Sequence, residues 1–291
     1  MQSKKLLYFS FLILFVLVAA CSKDNNPTEP KEDPNYTAAD GLNGGQLYDK
    51  FWATETGFNQ SDANLSVYSG KADFFRCKQC HGWDLLGNNG AYINRGPKTS
   101  RPNVSSVNLL AVAKAKTATE LFNLIKNGTN PAIRRAPTAD LSTYDPTTNS
   151  TLGDQMPNYG AILTDAQIWD LVKFLKTEAI DVTSLYDFTL TGTYPTGSIA
   201  YANIGKDGNA TTGDALYTTK CAICHGTDGK NFPLDGTTNV FLGKFMRTKP
   251  NETQHKLKFG QLGTAMVNLG LSNTDIKDLY KATQNSTKYP D

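Results

Sequence analysis

Two pentapeptides, Cys77-Lys78-Gln79-Cys80-His81 and Cys221-Ala222-Ile223-Cys224-His225, each set two thiols three residues apart with an imidazole directly after the second. In a helical turn, residues i, i+3 and i+4 share a face, so both thiols and the ring point to one side. That grouping suits a porphyrin: two thiols reach two vinyl groups as thioethers and the histidine meets the iron, the signature of covalent haem c attachment. Other uses of paired cysteines fit less well. A thioredoxin-like pair needs a βαβ setting, and neither site follows a buried strand. A four-cysteine zinc site brings its two pairs within about twenty residues of each other, far closer than Cys80 and Cys221. Disulfides, the usual fate of cysteines in an exported chain, give no reason for a histidine after each pair. The chain has three histidines, and two of them stand here.

The elements that position these groups are read from an internal repeat. Met156-Pro157-Asn158-Tyr159-Gly160 precedes Leu163-Thr164-Asp165-Ala166-Gln167-Ile168-Trp169-Asp170-Leu171. Met266-Val267-Asn268-Leu269-Gly270 precedes Leu271-Ser272-Asn273-Thr274-Asp275-Ile276-Lys277-Asp278-Leu279. Thr164 and Ser272 occupy N-cap positions with Gln167 and Asp275 three residues on, the spacing of a capping box. Apolar residues then recur at helical spacing, so each copy ends in an amphipathic helix. Upstream, Gly44-x-x-Leu47-Tyr48 matches Gly213-x-x-Leu216-Tyr217, and Ile125-Lys126-Asn127-Gly128 matches Leu257-Lys258-Phe259-Gly260. The first copy carries two polar insertions, 52–76 and 129–153, which read as surface loops.

With these motifs, both halves resemble class I c-type cytochrome domains. The resemblance implies an all-α fold of two tandem cytochrome c-like domains, at 41–180 and 201–291, joined by a linker at 181–200 that could hold a short β-hairpin. It implies two covalently bound haem c groups: Cys77, Cys80 and His81 hold the first, Cys221, Cys224 and His225 the second. Met156 and Met266, at one repeat position, are the expected sixth iron ligands. Met156-Pro157 follows the family's Met-Pro step and Met266-Val267 departs from it. Met246 reads as core. His255 reads as bonded to backbone or to a propionate, with iron ligation and pH gating as its alternatives. Trp83, Tyr92, Leu121 and Phe174 are core residues that could also wall the first haem. Iron saturated by histidine and thioether moves electrons and binds no substrate. The expected function is therefore electron transfer between redox partner proteins, not catalysis. A di-haem peroxidase- or thiosulfate dehydrogenase-like enzyme, or the electron-transfer subunit of a larger dehydrogenase or reductase, is the alternative.

Location is read from the N-terminus. Lys4 and Lys5 precede Leu6–Ala20, an apolar run too short for a membrane span but suited to a secretory signal over 1–20. Val18-Ala19-Ala20-Cys21 resembles the lipobox of bacterial lipoproteins, which implies lipidation at Cys21 and an exported protein tethered to the outer membrane, on its periplasmic side or at the cell surface. The polar stretch 21–40 reads as a flexible tether. Removing 1–20 takes away two lysines and no acid, bringing the formal charge from +2 to zero; this argues against a nucleic-acid partner. Lys244, Arg247, Lys249, Lys256 and Lys258 form the one basic cluster, a solvated face or a docking patch for an acidic partner.

Overall fold

The repeat is built as two helix crossings of the same construction. The computed structural model describes residues 32–51, 72–127, 145, 147–148, 156–161, 163–234 and 239–291; the apolar segment 1–20, Cys21 and most of both insertions lie outside them. The helices are α1 (Pro34–Ala38), α2 (Gly41–Lys50), α3 (Cys77–His81), α4 (Leu109–Ala115), α5 (Ala118–Lys126) and α6 (Asp165–Lys173). They continue with α7 (Ala210–Leu216), α8 (Ala222–His225), α9 (Leu242–Thr248), α10 (Pro250–Phe259) and α11 (Asn273–Thr283). The described fold is helical apart from one antiparallel hairpin, β1 (Asp187–Thr191) and β2 (Ser198–Ala202), with Thr189 opposite Ala200.

In the first crossing, α2 lies against α6. The Asp40 side chain caps α2 by accepting from Leu42 and Asn43, while its own N–H donates to Asp170 Oδ1 at 2.7 Å. Gly44 lets the backbones meet, since a Cβ there would lie 1.9 Å from the Asp170 carbonyl oxygen. The second crossing repeats each piece. Asn209 caps α7, its N–H donates to Asp278 Oδ1 at 2.6 Å, and a Cβ on Gly213 would lie 1.9 Å from the Asp278 carbonyl oxygen. The predicted capping boxes are both formed, Thr164 with Gln167 on α6 and Ser272 with Asp275 on α11.

Each crossing reaches its pentapeptide through a tyrosine. Tyr48 O–H donates to the Gly82 carbonyl at 2.6 Å and Tyr217 O–H to the Gly226 carbonyl at 2.7 Å. Those glycines directly follow His81 and His225 and end α3 and α8 at φ of 74° and 81°, a left-handed geometry open to glycine at little cost. A buried ion pair between Arg76 and Asp49 further ties α2 to the residue before α3.

Three features differ from the sequence reading. The stretch 21–40 is not all tether: α1 is capped by Asp33, and Tyr36 is buried against Trp169, so a single aromatic anchors a polar segment. The stretch 181–200 is not a bare linker, because Val182, Leu185 and Tyr186 are fully buried in the second core and the hairpin follows them. The helix α10, drawn from the second copy, carries Phe259 into the first core, and Gln254 Nε2 donates to the Trp83 carbonyl at 2.8 Å. Polar residues on most sides of α10 hide this placement from any apolar periodicity.

Candidate functional site

Both pentapeptide histidines open onto cavities, and each cavity has a repeat-matched methionine. The first, about 460 Å³, is lined by Cys77, Cys80 and His81 from α3, by Met156, and by Phe74, Phe75, Val104, Tyr159 and Tyr194. The second, about 370 Å³, is lined by Cys224 and His225 from α8, by Met246 and Met266, and by Phe232, Leu242 and Phe245. Cys221 is buried in the adjoining core. Among the described residues none of the four cysteines is in a disulfide, and no three His, Cys, Asp or Glu residues come together as a metal cluster. The two pairs thus serve separate places and do not converge as a four-cysteine zinc site would require.

Electrostatics suit covalent attachment better than thiol redox chemistry. Burial pushes the Cys77 thiol up to about 12 and Cys221 up to about 11, the opposite of an activated thiolate. Burial also lowers His81 to about 4 and lowers His225, so both rings are neutral, the form that ligates metal. Nδ1 of each ring is buried without a hydrogen-bond partner among the described residues. Such an atom costs about 1–3 kcal/mol unless it takes a partner of its own, an acceptor or a metal ion. Two thiols and a neutral imidazole at an apolar cavity, with a thioether lining its wall, fit haem c.

The structure redistributes several sequence assignments. Met246 is buried as expected, yet it also lines the second cavity beside Met266. Met156 is 37% exposed where it borders the first. Trp83, Tyr92, Leu121 and Phe174 are core, and none of them lines the first cavity. Its walls come instead from Phe74 and Phe75, just before the pentapeptide, and from Tyr159, just after Met156. Tyr194, in the hairpin turn, accepts from Val104 N–H and donates to Asn103 Oδ1 at 2.7 Å. Proximity in sequence to the pentapeptide and methionine signals the first three; nothing local signals Tyr194.

Arg247, Lys256 and Lys258 of the basic cluster are paired with carboxylates. Arg247 donates to the Thr283 and Tyr289 carbonyls and pairs with Asp291. Lys256 pairs with Glu252, and Lys258 is nearly buried against Glu178. Asp291 and Glu178 come from other elements, Glu252 from the same helix as Lys256, and Lys249 lies against the Phe245 ring.

His255 lines neither cavity. It is 1% exposed, 4.9 Å from the Trp83 ring and 4.8 Å from Phe259, and both ring nitrogens lack hydrogen-bond partners among the described residues. Burial lowers its pKa to about 4 from 6.5. An unfolded chain takes up this proton as pH falls from 6.5 to 4 and the folded chain does not. Acidification through that window therefore removes stability, by about 3 kcal/mol for His255 alone. Asp84, raised by burial to about 6 from 3.8, works the other way, because its stability penalty disappears on acidification. The difference between the unmutated protein and His255→Phe isolates the histidine. Denaturant titrations from pH 7 to 4 should show that difference moving toward the variant by about that amount; parallel curves would contradict the neutral, buried His255.

Residues 67–179 match the family model Cytochrome c, and residues 208–281 match Cytochrome C oxidase, cbb3-type, subunit III. Neither a curated protein nor a solved structure matches the chain. The two matches support a c-type cytochrome, with covalently attached haem c and electron transfer as the function such domains commonly serve.

Proposed function

We propose that this chain is an electron carrier with two haem c groups, one held by Cys77, Cys80 and His81 and the other by Cys221, Cys224 and His225, with Met156 and Met266 as sixth ligands. The observation that carries this reading is the duplicated cavity, which in each copy joins the pentapeptide histidine and the repeat-matched methionine. Iron with histidine and thioether ligands exchanges single electrons at high potential. The protein's part is to fix the cofactor through the cysteines, keep both imidazoles neutral, and exclude water. Aromatic walls do the last: Phe74, Phe75 and Tyr159 in one cavity, Phe232 and Phe245 in the other. A di-haem enzyme would need one iron open or differently ligated, and a methionine at each cavity argues against that.

A reductive titration followed by absorbance tests this. The protein should take up two electrons per chain, remain low-spin throughout and bind carbon monoxide poorly when reduced. Met156→Ala should create one carbon monoxide site and lower one potential by on the order of 0.1 V, within the roughly 0.8 V commanded by axial ligation; Met266→Ala should do the same at the other. Met246→Ala should do neither. Stoichiometric carbon monoxide binding to the unmutated protein would overturn the pure carrier reading.

The same proposal places the protein outside the cytoplasm, tethered to the outer membrane through acylated Cys21 and exchanging electrons with partner proteins. Its support is the apolar run Leu6–Ala20 and the Val18-Ala19-Ala20-Cys21 step. Cys21→Ala should move the protein from the membrane fraction to the soluble fraction, and continued sedimentation with membranes would place the anchor elsewhere.

A further inference from the structure

A cleft of about 690 Å³ lies apart from both haem cavities, between the first pentapeptide, the hairpin and the start of α10. Its walls come from four stretches far apart in sequence: 78–83, 91–101, 199–201 and 247–252. The hairpin residues fall between the two stretches that match family models, so the cleft belongs to the way this chain joins its halves. Tyr201 helps close it, with its O–H donating to Asn251 Oδ1 at 3.0 Å.

The lining is strongly one-signed. Lys78, Arg95, Arg101 and Lys249 face the cleft, with Glu252 the one carboxylate among its described lining residues, and Glu252 is paired with Lys256. The side-chain contacts described for Arg95 and Lys249 are to neutral groups. Arg95 donates to Gln79 Oε1 at 2.6 Å and lies over the Tyr92 ring, with its Nε buried and without a partner among the described residues. Lys78 lies 4.8 Å from the Trp83 ring and Lys249 5.1 Å from the Phe245 ring. Burial lowers the Arg101 pKa and the neighbouring Arg95 lowers it further, the mark of two like charges held together. Concentrating cations in a concave site raises the local concentration of anions and costs stability until one binds. The volume exceeds what one inorganic ion fills and lies within the range of small-molecule sites, about 300–1,000 Å³.

We infer that this cleft binds a small organic polyanion, its carboxylate or phosphate groups meeting Arg95, Arg101 and Lys249 and its body lying against Trp83 and Tyr201. Guanidinium groups favour such oxyanions through paired N–H donors. Lys78 belongs to the first pentapeptide, so charge bound here sits beside the candidate electron-transfer site.

Calorimetric titration of the full-length, haem-loaded protein with citrate tests the inference, with acetate at matched ionic strength as the monovalent control. Saturable binding of one citrate per chain is expected, and acetate should give none. Arg95→Gln together with Lys249→Gln should weaken citrate binding at least tenfold with the haem spectrum unchanged. Lys249→Gln alone, at a residue whose side chain has a ring face as its only described partner, should weaken it severalfold and guards against misfolding of the double variant. Citrate heats no different from acetate, or a dissociation constant unchanged in Lys249→Gln, would overturn it. The readout is binding heat, so it stands or falls independently of how either iron is ligated.

Discussion

Gly213→Ala should destabilise the protein by about 2 kcal/mol net, although alanine is the better helix former. The substitution gains about 1 kcal/mol of helix propensity. Against that, the new Cβ would lie 1.9 Å from the Asp278 carbonyl oxygen and 2.9 Å from the Ala282 Cβ. The first of these is backbone and cannot swing aside, so α7 and α11 must separate, and overpacking of this kind costs about 1–3 kcal/mol and occasionally more. Separation would also stretch the Asn209 N–H to Asp278 bond and pull on Tyr217, whose O–H holds Gly226 behind His225. Gly44→Ala should behave alike, since Asp170 and the Phe174 Cβ stand in the same relation to it. Chemical denaturation measures both; a variant as stable as the parent would mean that these glycines do not set the helix approach.

Cys221→Ala combined with Cys224→Ala should halve the haem content and leave the first site loaded. The larger effect falls on folding. Without haem, the 370 Å³ space beside His225 opens to water, and its apolar walls lose their packing partner. The second core, built around Tyr217, Leu257, Ile276 and Tyr280, should therefore loosen. Because α10 carries Phe259 into the first core, the first half should lose stability as well. Hydrogen exchange would show protection lost across α7, α9 and α11, and to a smaller degree in α2. Unchanged haem content in the double variant would mean that these thiols hold nothing.

What the sequence made legible follows from how local each signal is. The pentapeptides, capping boxes and crossing glycines are encoded within a few residues, and the structure places them as the repeat predicts. Met156 and Met266 share a repeat position, and each borders the cavity of its own pentapeptide, although Met246 borders the second as well. Tyr194 and Tyr36 could not be read the same way: each packs against a partner more than ninety residues away, and nothing beside either in sequence announces it. The pairing of the basic cluster was hidden for a related reason. Charges at 244–258 look exposed when read along the chain, but Asp291 and Glu178, from other elements, pair with Arg247 and Lys258, and Glu252 pairs with Lys256. Conversely, the cations that do gather around one cleft, Lys78, Arg95, Arg101 and Lys249, are scattered through the chain.

Intact-mass measurement of the unmutated protein after acid–acetone extraction tests the account most directly, because extraction removes any haem held only by coordination. Two haem masses should remain on the chain, one for each pentapeptide, and peptide mapping should place them on 77–81 and 221–225. A chain that returns to its bare mass, or that keeps a single haem, would contradict the claim that both cavities are covalent haem c sites.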